Sequence, residues 1–287
     1  MSDQTSFGSL TDIADHFRKD LTGDRRREKD LILLFAHNGT GKTRLSMEFK
    51  DQGKPDDETR DTLYFNAFTE DLFVWDNDLN DNVNRFLNLN KESVFFEGLQ
   101  ELEMENRIGP IFQNYVDLNF FIDYDKYRVS FSRSYMVDGR DETHENIKIS
   151  RGEENLFIWC FFIAICELAI DHVGSENEDG VYSWVKYIYI DDPISSLDEN
   201  NAISVACDLA NLIRREENKI KTIISTHHSL FFNVMFNELK RTVKNKIYFL
   251  HSKGISGYEL RNTEDTPFFH HIAVISELKK VSETGMI

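Results

Sequence analysis

The apolar run Leu31-Ile32-Leu33-Leu34-Phe35 leads directly into Ala36-His37-Asn38-Gly39-Thr40-Gly41-Lys42-Thr43, and a helix-like segment begins at the lysine. A buried strand, a glycine turn and a helix in that order constrain the fold more than any other feature, because the strand has to sit inside a layered α/β core. The glycines let successive backbone N–H groups converge on phosphate oxygens, and the helix directs its positive end at them. Asn38, Gly39, Thr40, Gly41, Lys42, Thr43 and Arg44 are therefore the expected phosphate-side residues, with Lys42 neutralising the terminal phosphates and Thr43 offering a hydroxyl to Mg²⁺. The expected ligands are Mg²⁺ and ATP or GTP. Such loops usually open with glycine, and here a small residue, Ala36, stands in that place. The alternative is a glycine-rich turn that carries Gly-Lys-Thr by chance.

With 40% hydrophobic residues, the 287-residue chain can bury one large core, or one core with a smaller lobe attached, and a single main domain is expected. The longest apolar stretch, from Leu156 to Ile170, is interrupted by Glu167 and reads as too short to cross a bilayer. Residues 1–30 are polar and mixed in charge, without the basic-then-apolar form of a leader peptide, so a cytoplasmic protein with no membrane partner is expected. Cys160, Cys166 and Cys207 lack paired ligand spacing and read as buried apolar positions. Thirty-three Lys and Arg against fifty Asp and Glu give a net charge of −17. That argues against broad attraction to nucleic acid and leaves room only for a local basic patch. Arg25-Arg26-Arg27 with Lys29 is the densest basic run, diluted by Asp24, Glu28 and Asp30, and reads as a solvated loop.

Residues 8–21 carry Leu10, Ile13, Phe17 and Leu21 at helical spacing. After the 31–35 run, β-branched and aromatic runs at 61–66, 118–123, 126–131, 185–190, 220–225 and 246–250 predict strands. Helices are expected over 42–50, 92–105, 154–172, 200–216, 229–241 and 270–283. The alternation in the second half implies a mostly parallel sheet with helices on its faces. Residues 67–148 lack it, being acidic and rich in Asn and Phe, and read as an inserted α+β lobe containing a hairpin around Tyr124-Asp125-Lys126. The expected organisation is a core formed by residues 1–66 and 149–262, the lobe of 67–148 between them, and the start of a helical extension over 263–287.

Tyr187-Ile188-Tyr189-Ile190-Asp191-Asp192 has the form of a buried strand ending in two carboxylates. Asp191 could hold Mg²⁺ beside a triphosphate, and Asp192, one position on, could orient or deprotonate an attacking water. The plainer reading is that both acids cap the turn through Pro193 and Ser195.

Asp191-Asp192-Pro193-Ile194-Ser195-Ser196-Leu197-Asp198 resembles the Walker B and D-loop of ABC-type ATPases. Ile149-Ser150-Arg151-Gly152-Glu153-Glu154 is similar to their signature sequence, and Thr226-His227 to the strand end that carries their switch histidine. The resemblance implies an ABC-type P-loop NTPase in which two copies sandwich two nucleotides. Ser150, Gly152 and Glu153 of one copy would then meet the γ-phosphate bound by the other, with Asp198 in the D-loop and Asp192 and His227 as catalytic residues. Ser150 and Glu153 also fit a plain capping box. Adjacent His228 has no assignment. Two departures from the pattern are visible: Asp192 replaces the usual catalytic glutamate, and no glutamine stands where the family's glutamine loop would be.

Within that family, residues 35–46, 64–73, 149–159 and the Walker B run resemble the ATPase part of PrrC-type anticodon nucleases, bacterial phage-defence proteins, over about residues 5–260. The resemblance implies a homodimer or higher oligomer. It also implies a nuclease module in cis or on a separate subunit, and tRNA as a candidate partner. No nuclease residue is assignable, and His270-His271 reads as a surface pair. The alternatives are a DNA-repair ATPase of the SMC-like, chromosome-maintenance type, a retron- or Septu-like defence ATPase with a separate effector, and a nucleotide-gated switch with little turnover.

Overall fold

The computed structural model describes residues 4–23, 28–54, 60–66, 73–76, 85–90, 103–137, 140–174, 181–194, 197 and 199–263. Contacts divide the chain into two compact units, one of Met1–Tyr64, Lys186–Ile194 and Ala202–Ile287, the other of Phe65–Val185 and Ser195–Asn201.

The first unit is built on a seven-stranded sheet. Its strands are β1 (Gln4–Phe7), β2 (Leu31–Ala36), β3 (Thr62–Asn66), β9 (Tyr187–Asp191), β10 (Lys221–Thr226), β11 (Asn245–Ser252) and β12 (Tyr258–Asn262), in the order β1-β12-β11-β2-β10-β9-β3. The centre is parallel: β2 lies between β11 and β10, and β10 pairs with β9 so that Ser225 stands opposite Asp191. β12 runs antiparallel to both β11 and β1. Every residue of β2 is buried, as a strand covered on both faces requires.

Alternate residues of β2 feed opposite layers. Ile32 and Leu34 join a core with Leu10, Ile13 and Phe17 of α1 (Leu10–Thr22) and Leu45 and Phe49 of α2 (Lys42–Gln52). On the other face Phe35 meets Phe232 of α6 (Ser229–Leu239) and Phe249 of β11, with ring centroids 5.5 and 5.4 Å away. α1 and α2 are tied to the approach to β3 by Arg18. Its guanidinium bonds both oxygens of Asp61 at 2.8 and 3.2 Å, donates to the Phe49 carbonyl at 2.7 Å and lies over the Phe49 ring.

The second unit is an antiparallel sheet backed by two helices. β4 (Phe73–Asp76), β5 (Phe86–Leu89), β6 (Asn119–Asp123) and β7 (Arg128–Val137) follow the order β4-β5-β7-β6, and β8 (Arg140–His144) pairs with the far half of β7. The hairpin expected around residues 124–126 is the β6–β7 connection, with Asp123 opposite Arg128. α3 (Met104–Gln113) and α4 (Arg151–Gly174) supply the core. Phe157 of α4 is completely buried, and its ring meets Phe112, Phe120 and Phe131 edge-on at 5.5, 5.1 and 5.1 Å. The lobe expected over 67–148 thus lies within a unit that continues through α4 to Val185.

Several expectations differ from what is found. Of the helix expected over 92–105, residues 91–102 lie outside the described residues, and the helix present begins only at Met104. Gly109 and Pro110 mask it in the sequence, although Met104, Ile108 and Phe112 form its buried stripe at helical spacing. Strands β1, β4, β5, β8 and β12 give no readable pattern because they are short or exposed. α4 runs well beyond the apolar stretch at its centre, and is long and apolar enough to cross a membrane; 78% of its apolar window is buried inside the protein. Cys160 and Cys166 are buried, whereas Cys207 is only partly so. The helix expected over 270–283 and the basic run at 25–27 lie outside the described residues.

Phe157→Ala would leave a cavity ringed by three aromatic side chains. We expect it to lower stability by about 3–5 kcal/mol, measured by urea unfolding followed through tryptophan fluorescence.

Candidate nucleotide site

β2 ends at Ala36 and α2 begins at Lys42, so the loop between them must reverse direction in five residues. It does so through Gly39 at φ 81° and Gly41 at φ 100°, left-handed values that a side chain would strain. A Cβ on Gly41 would also lie 3.3 Å from Cδ1 of Leu10. Lys42 is 5% exposed. Its Nζ donates to the Ala36 carbonyl at 3.1 Å, reaches Asn38 Oδ1 at 3.4 Å and pairs with Asp192 Oδ2 at 3.2 Å. Thr40 donates to the His37 carbonyl, and Arg44 is exposed on α2.

The two carboxylates after β9 take different directions. Asp191 completes the strand and is 1% exposed; it accepts from Thr43 Oγ1 at 2.7 Å and from Ser225 Oγ at 2.6 Å. Burial pushes its carboxyl above the ordinary carboxylate range, and the two hydroxyls pull against that shift. Asp192 has a left-handed backbone, φ 49°, which aspartate tolerates better than most residues. That twist turns its side chain towards Lys42 and His227. One oxygen accepts from the His227 backbone N–H and lies against the ring Nδ1, each at 2.9 Å, while the other pairs with Lys42.

The structure therefore brings Asn38, Lys42, Thr43, Asp191, Asp192 and His227 into one connected cluster, with Gly39, Thr40 and Gly41 forming the loop. Thr43 and Asp191 present two hard oxygen donors in contact, a set that fits Mg²⁺, which takes few protein ligands and completes its shell with water and phosphate. Among the described residues no group of three His, Cys, Asp or Glu forms a cage made by protein alone. His228 serves the fold, because its ring Nδ1 accepts from Phe231 N–H at 3.3 Å and caps α6.

Ser150, Gly152 and Glu153 belong to the second unit, and Asp198 lies outside the described residues. The capping box is formed: Glu153 accepts from Ser150 N–H at 2.7 Å, and Ser150 Oγ accepts from Glu153 N–H at 3.3 Å. Sequence reasoning missed two supporting residues. Ser225 was legible in principle, since aligning the two apolar strands sets it opposite Asp191. Arg133, which grips Glu153 Oε1 at 2.6 Å from β7, carries no local signal.

An ammonium, a hydroxyl and two carboxylates gathered at the C-terminal ends of the parallel strands β2 and β9, which flank β10, place this protein among the P-loop, nucleotide-binding ATPases. The family model for an AAA domain, AAA_13, matches residues 126–279, more than half the chain. The chain belongs to that family. It is also 38% identical over 234 residues to the anticodon nuclease of Escherichia coli, an alignment that covers 74% of this chain and 58% of that protein. The chain thus spans less than two thirds of its curated relative. Among solved structures, an SMC head bound to the C-terminal winged-helix domain of ScpA aligns at a TM-score of 0.42, with 10% identity over 82% of this chain and 90% of the other. The SMC head of Thermotoga maritima aligns at 0.37, with 12% identity and the same coverage.

Burial pushes Glu153 upward, but the Ser150 N–H, the Ser150 hydroxyl and Arg133 together hold it below its usual value of 4.5. A carboxyl held low adds stability above its unfolded value and loses that contribution as pH falls through its folded one. Arg133→Met should raise the Glu153 titration midpoint, read by carboxyl-carbon NMR, and start the acid loosening of the α4 cap at higher pH.

Proposed function

We propose that this chain is a Mg²⁺-dependent ATPase or GTPase that works as a head-to-tail homodimer and controls an anticodon-nuclease activity in bacterial anti-phage defence. The observation that carries the hydrolase reading is the Lys42–Asp192–His227 chain beside the Thr43–Asp191 pair. The nuclease reading is supported by the identity shared with the Escherichia coli anticodon nuclease. The nuclease module, in cis or on another subunit, and a tRNA partner come with that reading, as does a cytoplasmic setting.

The residues divide the work by chemistry. The loop N–H groups and the start of α2 receive the phosphates, and Lys42 leaves Asp192 for the terminal phosphate. Thr43 and Asp191 would hold Mg²⁺, which supplies positive charge to the phosphate oxygens when bound. Asp192, freed from Lys42 and fixed by His227, takes a proton from the attacking water. Ser150 and Gly152 of the second copy close the site over the γ-phosphate, and Glu153 holds Ser150 in place. Asp198 joins the same interface, and Arg44 lies on the nucleotide side.

A second reading is a nucleotide-gated switch with little turnover. It is favoured by the ion pair that engages Asp192 with Lys42 and by the shorter reach of aspartate compared with glutamate.

Phosphate release and fluorescent-nucleotide binding separate the readings. Lys42→Ala is expected to reduce hydrolysis by about 10²-fold or more and to weaken binding. An unchanged rate would sink the enzyme reading, and tight Mg²⁺-dependent binding with almost no turnover in the wild type would select the switch. Ser150→Arg should leave nucleotide binding by one subunit intact while blocking hydrolysis. Full activity in that variant would rule out a shared site.

A further inference from the structure

In a chain of net charge −17, one cleft of about 470 Å³ in the first unit is lined by Lys29, Lys240, Arg241 and Lys246 over a floor of Phe236 and Ile247. From the end of α6 to the start of β11, residues 240–246 read Lys-Arg-Thr-Val-Lys-Asn-Lys, four cations and no acid. Among the described residues none of the four lining cations forms an ion pair. Among the described residues, the acids near these cations in sequence or across the strands are engaged elsewhere. Glu28 and Asp30 both pair with Lys221, at 2.8 and 2.7 Å, and Asp20 accepts from the Tyr248 hydroxyl at 2.6 Å.

The ordinary explanation for basic residues after a helix is that they cap its negative end. Here other groups do that work. The Leu239 carbonyl accepts from Thr242 N–H, Val243 N–H and the Asn245 side-chain amide, the Glu238 carbonyl from the Thr242 hydroxyl, and the Phe236 carbonyl from Lys240 N–H. The charged heads of Lys240 and Arg241 are not needed for capping, and Lys240 lies over the Phe236 ring at the cleft floor.

The cleft is separate from the nucleotide site. Parallel β2 and β11 pair from Leu31–Asn245 at one end to Ala36–Leu250 at the other, and the phosphate loop follows Ala36. Lys29, Asn245 and Lys246 mark the opposite end, about 17 Å away along the strands.

We infer that this cleft binds the phosphodiester backbone of RNA. Several unpaired cations around an open cleft suit a chain of phosphates better than a single one, and the apolar floor offers packing for sugar or base. The acidic charge on the rest of the molecule confines a polyanion to this face. The choice of RNA among phosphate chains rests on the nuclease reading proposed above, whereas recognition of a phosphate chain rests on the cleft alone.

The test is fluorescence anisotropy of a labelled RNA hairpin with the full chain at low salt, with duplex DNA of equal length and inorganic polyphosphate as competitors. Lys240→Glu with Arg241→Glu should weaken RNA binding more than tenfold and flatten its salt dependence by about one unit of log–log slope or more, while fluorescent-ATP binding stays at the wild-type level. Lys126→Glu, an exposed lysine of the other unit, should change neither. Absence of RNA binding by the wild type, or equal binding by the double variant, would overturn the site. Competition by polyphosphate or duplex DNA as effective as by unlabelled RNA would overturn the choice of RNA. Lys42→Ala retains RNA binding under this proposal, so failure of the hydrolase reading and failure of the cleft give different results.

Discussion

Much of the first unit depends on one buried carboxylate. Asp191 sits at the end of a central strand with almost no access to water, where an ionised group is costly unless hydrogen bonds replace its hydration. Thr43 and Ser225 supply them, one from the first turn of α2 and one from the adjacent strand. The same two bonds lock the start of α2 to the β9–β10 register. The phosphate loop is thereby suspended between the end of β2 and a helix whose first turn is tied two strands away.

Asp192 shows how two neighbouring acids of one type acquire different characters. Continued extension would have sent its side chain away from the loop, since successive strand residues face opposite sides. A single left-handed residue turns it towards Lys42 and His227 instead. Backbone strain of this kind costs of order 1 kcal/mol or more, and the hydrogen bond from Asp192 N–H to the Ser225 carbonyl holds the residue in place. Asp191 is raised by burial and satisfied by hydroxyls, whereas Asp192 is bracketed by an ammonium and an imidazole.

The parallel centre was readable because its strands are covered on both faces. Leu31–Ala36 and Tyr187–Asp191 are near-continuous apolar runs, and Lys221–Thr226, buried from Thr222 on, carries Ile223-Ile224 among β-branched and hydroxyl residues. The site was readable for a related reason: Lys42, Thr43, Asp191, Asp192 and His227 all stand where such a strand gives way to a turn. Legibility failed where contacts are long-range or local propensity is weak. β8 is exposed at every residue and has no apolar pattern to betray it, and α3 contains both Gly109 and Pro110. Arg133 matters only because Glu153, twenty residues on in sequence, comes to rest beside it.

The aromatic cluster around Phe157 fixes the N-terminal third of α4 within its own unit, and Ser150 stands at the tip of that helix. Seven residues separate the two, about 10 Å along a helix axis. A helix clamped in this way is a lever with Phe157 near its fulcrum. A tilt of α4 by about 10° about Phe157 would carry the Ser150 end through nearly 2 Å, enough to make or break a hydrogen bond. The capping box ties Ser150 to that helix tip, so a shift in the aromatic packing of the lobe shifts Ser150 with it.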